Sequence, residues 1–220
     1  MDSPVKTFTI ARRRADVDHD DLVECWRSTH AANAVEHMRP DAYTLTFFDP
    51  RDGRTPYDGM AELRYDDLER YRAHTGGNIP AAVAHDAWAD MVQLPNTWMR
   101  ATEHVVVAGP EGLPATTAER EAAFKLTFLI AARPGRDPAS VRRHWLDVHV
   151  PNFRERFVAG GGVRYVVNLA ERCVGEDLVG LAELSYRDRA CAEAHQPPDD
   201  GFTAMIVLRA FPGREVVVRG

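Results

Sequence analysis

Residues 6–33 read KTFTIARRRADVDHDDLVECWRSTHAAN, and residues 125–152 read KLTFLIAARPGRDPASVRRHWLDVHVPN. The second stretch is the first one again, displaced by 119 positions. Lys6, Arg14, Asp18, Trp26, His30 and Asn33 meet Lys125, Arg133, Asp137, Trp145, His149 and Asn152. A second block confirms the duplication: residues 57–74 fall on residues 178–195, where Gly59, Ala61, Glu62, Leu63, Tyr65, Asp67, Ala73 and His74 each meet their own kind. Tyr43 and Tyr165 lie between the blocks, and Asp86-Ala87-Trp88 faces Asp200-Gly201-Phe202 further on. Small changes of offset are what insertions in loops produce. An internal repeat of this kind decides the fold before any local propensity is weighed.

Each copy carries the same pattern. Residues 5–11 and 124–131 are β-branched and aromatic runs of strand length. Asp18 and Asp137 then stand as helix N-caps, with Pro138 at the first helical position of the second copy. The helix places Leu22, Cys25, Trp26, Thr29 and Asn33 on one face, matched by Val141, Trp145, Val148 and Asn152. Strands over 43–48 or 163–168 and over 58–65 or 178–186 follow, then a short helix ending at His74 or His195, and a last strand over 103–108 or 215–219. The order β-α-β-β-α-β is the ferredoxin-like arrangement. Such a unit covers one sheet face with helices and leaves the other bare, so it must meet a second sheet. The expectation is an α+β fold: two ferredoxin-like repeats, 1–108 and 123–220, joined by a Gly/Pro/Thr-rich linker at 109–122. Their antiparallel sheets would pack face to face as one pseudo-dimeric α/β barrel, present as a monomer or homodimer.

Composition narrows the function classes. Of 220 residues, 45% are hydrophobic and 27% charged, the balance of a globular protein. A net charge of −6 argues against general nucleic-acid binding, which needs an excess of cations. No window approaches the ~20 apolar residues of a membrane span. The opening Met1-Asp2-Ser3-Pro4 is not a secretory signal. Cys25, Cys173 and Cys191 are too scattered for a disulfide framework and read as reduced thiols of a cytoplasmic protein. Nine histidines include no HExxH, and neither CxxC nor a facial-triad spacing occurs, so no metal is expected. Nucleotide-binding glycine motifs and a GxSxG nucleophile turn are also lacking from the sequence.

The run Lys125–Ile130, Arg133-Pro134-Gly135 and Trp145-x3-His149-Val150-Pro151 resembles the opening of an EthD-type domain of the dimeric α/β-barrel superfamily. The Gly-x-Ala-Glu-Leu strands and the final His104-Val105-Val106 resemble later motifs of that family. The resemblance covers nearly the whole chain, twice. It departs from the family where the first copy has no Pro-Gly turn and where neither histidine is followed by glycine. The resemblance implies a small-molecule enzyme. Relatives in the superfamily include cofactor-free aromatic polyketide cyclases, anthrone oxygenases, decarboxylases, dehydratases and haem enzymes.

His30 and His149 follow a tryptophan by four residues, share its helix face, and would act as acid or base. Placed near a helix C-terminus, they would be favoured in the charged form; the alternative is a buried helix cap. Glu62 and Glu183 alternate away from the helix-packing face of the third strand and are the second catalytic candidates. Their alternative is an ion pair with Lys6 or Lys125 on the neighbouring strand. Substrate-binding candidates are Trp26, Trp145, Asn33, Asn152, Tyr43 and Tyr165. Trp88, in the longer loop 75–97, would wall one pocket or pack into a satellite core. His74 and His195 read as surface charges. The expected activity is cofactor-free acid–base cyclisation, dehydration or decarboxylation of a planar aromatic or polyketide-like substrate. The alternatives are a cofactor-free or haem-dependent oxygenase, and a non-catalytic binder of a small hydrophobic ligand.

Overall fold

The structure is a computed structural model that describes residues 4–49, 56–75, 79–109, 115–194 and 197–219. It forms two compact units, Met1–Arg100 with Glu215–Gly220, and Ala101–Arg214. The chain order is β1 (Val5–Ala11), α1 (His19–Cys25), α2 (Ala31–Met38), β2 (Ala42–Phe48), β3 (Gly59–Tyr65), α3 (Leu68–Thr75), α4 (Ala81–Ala84) and β4 (Thr97–Val107). The second half continues with α5 (Thr117–Ala122), β5 (Phe124–Ala132), α6 (Pro138–His144), α7 (Val150–Ala159), β6 (Gly162–Val174), β7 (Leu178–Tyr186), α8 (Arg189–Glu193) and β8 (Ile206–Arg219). The hydrogen-bonded strand order β1-β3-β2-β8-β5-β7-β6-β4 closes an eight-stranded antiparallel barrel. The α+β expectation holds. His195 lies outside the described residues.

The expected N-caps are in place. The Asp18 carboxylate accepts from the amide of Asp20, and Asp137 accepts from the amides of Ala139 and Ser140, with Pro138 opening α6. These bonds satisfy donors that the first turn of a helix leaves without partners. Within the stretch expected as a linker, α5 is fixed by a capping box between Thr116 and Glu119.

The repeated Gly-x-Ala-Glu-Leu motif now has a physical account. Its first, third and fifth residues face the helices, and its fourth faces the other way. In the second unit Ala182 and Leu184 join Trp145, Phe153, Phe157, Tyr165, Tyr186 and Phe202 in one core. In the first unit Ala61, Leu63 and Tyr65 pack with Trp26, Tyr43 and Trp88. A Cβ on Gly180 would stand 2.4 Å from the Asn168 carbonyl oxygen and 3.0 Å from the Trp145 ring. On Gly59 it would stand 2.9 Å from the Thr46 carbonyl oxygen and 3.0 Å from the Trp26 ring. Glycine is therefore what lets each tryptophan lie against its strand.

On the opposite face of the strand, the glutamates are paired with lysine. Lys6 Nζ lies 3.0 Å from Glu62 Oε1, and Lys125 Nζ lies 2.6 Å from Glu183 Oε1. Asn168 Nδ2 donates to the other Glu183 oxygen at 2.8 Å. Register explains the pairing: Lys125 sits opposite Ser185, two residues from Glu183 on the same face, and Lys6 sits opposite Arg64, two from Glu62.

Candidate active site

Between α1 and α2 the helix widens into a π turn, Trp26–His30, and the same happens between α6 and α7 at Trp145–His149. The amide of Ala31 donates to the Trp26 carbonyl and that of Val150 to the Trp145 carbonyl, five residues back in each case. Such single-turn widenings concentrate at functional sites. They also overturn one expectation. Each histidine is mid-helix, because the chain continues helically to Met38 or Ala159, so no C-terminal dipole favours its charged form.

What meets each histidine instead is an aspartate. His30 Nδ1 lies 2.9 Å from Asp86 Oδ2, and His149 Nδ1 lies 2.9 Å from Asp200 Oδ2. The second oxygen of each carboxylate closes its own turn. Asp86 Oδ1 accepts from the Trp88 amide at 3.1 Å, and Asp200 Oδ1 accepts from the Phe202 amide at 3.0 Å. Gly201, at φ 82°, supplies the left-handed residue between them in the second copy. The aromatic that ends the turn then covers the imidazole. Trp88 stacks on His30 with centroids 4.2 Å apart, and Phe202 lies 4.5 Å from His149. The turn thus delivers both the carboxylate and the ring wall.

Asp86 and Asp200 were not identified as site residues from the sequence. Their signal was the repeated Asp-x-aromatic triplet, which reads as a turn until the fold shows what stands opposite.

Burial holds both imidazoles below the ordinary histidine pKa, against the opposing pull of the aspartate. For His149 the nearby His144 adds to the lowering. With Nδ1 bonded to a carboxylate, each neutral ring carries its proton on Nδ1 and leaves the lone pair on Nε2.

The second unit holds a cavity of about 160 Å³ between its sheet and helices. Its wall includes His149, Trp145, Phe153, Tyr165, Phe202 and Leu208. Trp145 Nε1 donates to the Tyr165 hydroxyl at 3.4 Å. Burial pushes the Tyr165 phenol well above its ordinary pKa, so it stays protonated.

The remaining candidates divide. In the first unit Asn33 Nδ2 donates to Asp86 Oδ2 at 3.0 Å, joining Asn33 to His30. Trp26 and Tyr43 are buried in the same core as Trp88. Trp88 belongs to the core of the first unit itself, beside His30, and not to a satellite core. In the second unit Asn152 is exposed and is not among the cavity-lining residues. Glu62 and Glu183, on the other sheet face and ion-paired, do not meet the histidines. Among the described residues no cluster of three or more His, Cys, Asp or Glu is placed to hold a metal ion. No described helix is long and apolar enough to cross a membrane.

No protein-family model matches the chain, and no curated protein matches it. Solved structures do. An anthrone oxidase-like protein superimposes with a TM-score of 0.71 at 12% identity, over 98% of this chain and 92% of that one. A candidate monooxygenase from Fusobacterium nucleatum subsp. nucleatum gives 0.62 at 9% identity, over 98% and 94%. Chlorite dismutase from Candidatus Nitrospira defluvii gives 0.56 at 10% identity, over 98% and 92%. At these identities the likeness establishes a shared fold, that of the dimeric α/β-barrel proteins.

Proposed function

We propose that the protein is a cofactor-free oxygenase that converts an electron-rich phenolic ring to a quinone at the His149–Asp200 site. One observation carries this reading: a neutral imidazole, fixed by a buried carboxylate, stands in the wall of an apolar aromatic cavity. Neighbours named as anthrone oxidase-like and as a candidate monooxygenase support oxygen chemistry over the cyclisation, dehydration or decarboxylation that the same base could serve. The finer family reading, tandem EthD-type ferredoxin-like repeats, belongs with this proposal and rests on the duplicated motifs.

The steps balance. His149 Nε2 takes the phenol proton, and Asp200 stabilises the imidazolium that results. The Tyr165 hydroxyl, which accepts from Trp145, keeps its own proton to donate to the phenolate oxygen. The phenolate passes an electron to O2, and the radicals recombine to form a C–O bond at the ring carbon para to the oxygen. The imidazolium protonates the resulting peroxide. Imidazole then removes the proton from that carbon, the O–O bond breaks, and hydroxide leaves with the proton as water. Phenol and O2 become quinone and water.

A haem, the cofactor of one alternative, does not fit this cavity. About 160 Å³ is below the 300 Å³ or more of ordinary ligand pockets, and the described lining offers no Lys or Arg for propionates.

The test is oxygen uptake with electron-rich phenols of one to three fused rings, followed with and without O2. Quinone formation with one O2 consumed per product, reduced about 100-fold or more in His149→Ala and little changed in His30→Gln, is expected. Turnover that persists under argon would establish the proton-transfer reading instead. No uptake with any phenol, or full activity in His149→Ala, would refute the proposal.

A further inference from the structure

The cavity beside His149 has a definite capacity. An engineered apolar void of about 150 Å³ in another protein stays dry and takes up benzene. This cavity, at about 160 Å³, is the same size and similarly lined, with Phe128, Ile130, Phe153 and Phe202 among its walls. A space of that size is filled by one benzene-sized ring.

Phe202 sets that limit. It faces His149 at 4.5 Å and Trp145 at 5.6 Å, so its ring forms the part of the wall next to the imidazole. The Asp200–Phe202 turn holds it there through the Asp200 carboxylate. In the first unit the matching position carries the larger Trp88, stacked on His30 at 4.2 Å and packed on Trp26 at 5.1 Å. In that copy the larger ring lies directly on the imidazole and on the tryptophan of the same helix.

We infer that the His149 cavity admits a single aromatic ring, and that Phe202 is the residue that fixes this specificity. The inference rests on the proposed site but is read by binding alone. Phenol meets the requirement: one apolar ring, and one hydroxyl for His149 and Tyr165. Leu208 and Thr203 are exposed at the cavity's edge, so a second ring would have to remain outside.

Calorimetric titration of the intact protein under argon, with phenol, 1-naphthol and anthrone, tests this. Phenol is expected to bind at least 10-fold more tightly than anthrone. Phe202→Ala should gain at least 10-fold for 1-naphthol, and Phe202→Trp should lose at least 10-fold for phenol. Thr203→Trp, at an exposed position that spares the core, should also weaken phenol by narrowing the entrance. Equal affinities for one and three rings, or phenol binding unchanged by both tryptophan variants, would overturn the inference. Phenol binding without oxygen uptake would sink the proposed reaction and leave this inference standing. Uptake with anthrone and none with single-ring phenols would do the reverse.

Discussion

Replacing Lys125 by methionine removes one half of an ion pair whose side chains are 1% and 0% exposed. Glu183 would keep the Asn168 donor at 2.8 Å but lose the ammonium at 2.6 Å. Breaking a buried pair from one side costs about 3–5 kcal/mol, because a buried charge loses its counter-ion. For a chain of this size that corresponds to a fall in Tm of roughly 6–20 °C. The double variant Lys125→Met/Glu183→Gln should recover most of the loss. A glutamine there can still accept from Asn168, and its amide can donate to Thr127 Oγ1, which is buried without a hydrogen-bond partner and lies across the strand pair from position 183. Urea denaturation of the wild type, both single variants and the double gives the coupling directly. The pair Arg27–Glu24, at 2.8 Å but with side chains 57% and 64% exposed, is the control, and its loss should cost no more than about 0.5 kcal/mol. A loss below about 1 kcal/mol in Lys125→Met, or a double variant as unstable as the two singles summed, would refute the argument that burial makes this pair matter.

Three further outcomes follow from the geometry. His149 is held below its ordinary pKa mainly by burial, with Asp200 opposing. The folded protein therefore binds that proton more weakly than the unfolded chain does. Stability from this group is complete above about pH 6.5 and declines as pH falls below it. In Asp200→Asn the opposing pull is gone, so the acid limb of the kcat/KM profile should move to lower pH while the rate falls; an acid limb displaced upward would contradict the assignment. Gly180→Ala should destabilise more than Gly59→Ala, by about 1–3 kcal/mol in thermal or urea melts, because its new Cβ meets a carbonyl oxygen at 2.4 Å rather than 2.9 Å. Equal melts would show that the strand relaxes freely at both positions.

How far the sequence could be read depended on whether a signal was local. The matched stretches, the Asp caps and the glutamates turned away from the helices are written in spacing and period, and the caps and the glutamate placement appear in the structure. The lysine partners were within reach because strand pairing places neighbours two residues apart on one face. The π turn was not legible: Trp26-x3-His30 has the same i, i+4 spacing in either helix type, and only the hydrogen bond reaching five residues back distinguishes them. Asp86 was hidden for a different reason. It lies 56 residues from His30 along the chain, and Asp200 lies 51 from His149. Contacts that close such distances are set by how a loop returns to a helix, which composition does not record. Asn33 and Asn152 show the limit of reasoning by repeat, since identical residues at matched positions have taken different surroundings.

That divergence bears on why both dyads persist. In the first unit Asp86 accepts from His30, Asn33 and the Trp88 amide. A carboxylate so engaged fixes the return of a long loop, and the Trp88 indole of that loop stacks on the imidazole. This dyad ties the loop to the core, and losing His30 would leave the buried Asp86 carboxylate with only the Asn33 amide and the Trp88 backbone as donors. In the second unit the side chain of Asp200 accepts from His149 and from its own turn, and the smaller phenyl ring leaves the neighbouring space open. The same Asp–His bond therefore serves packing in one copy and, on the proposed reading, proton transfer in the other. The difference traces to one aromatic position, Trp88 against Phe202. On the proposed reading, capacity for a ligand is decided there, while the Asp–His geometry is common to both halves.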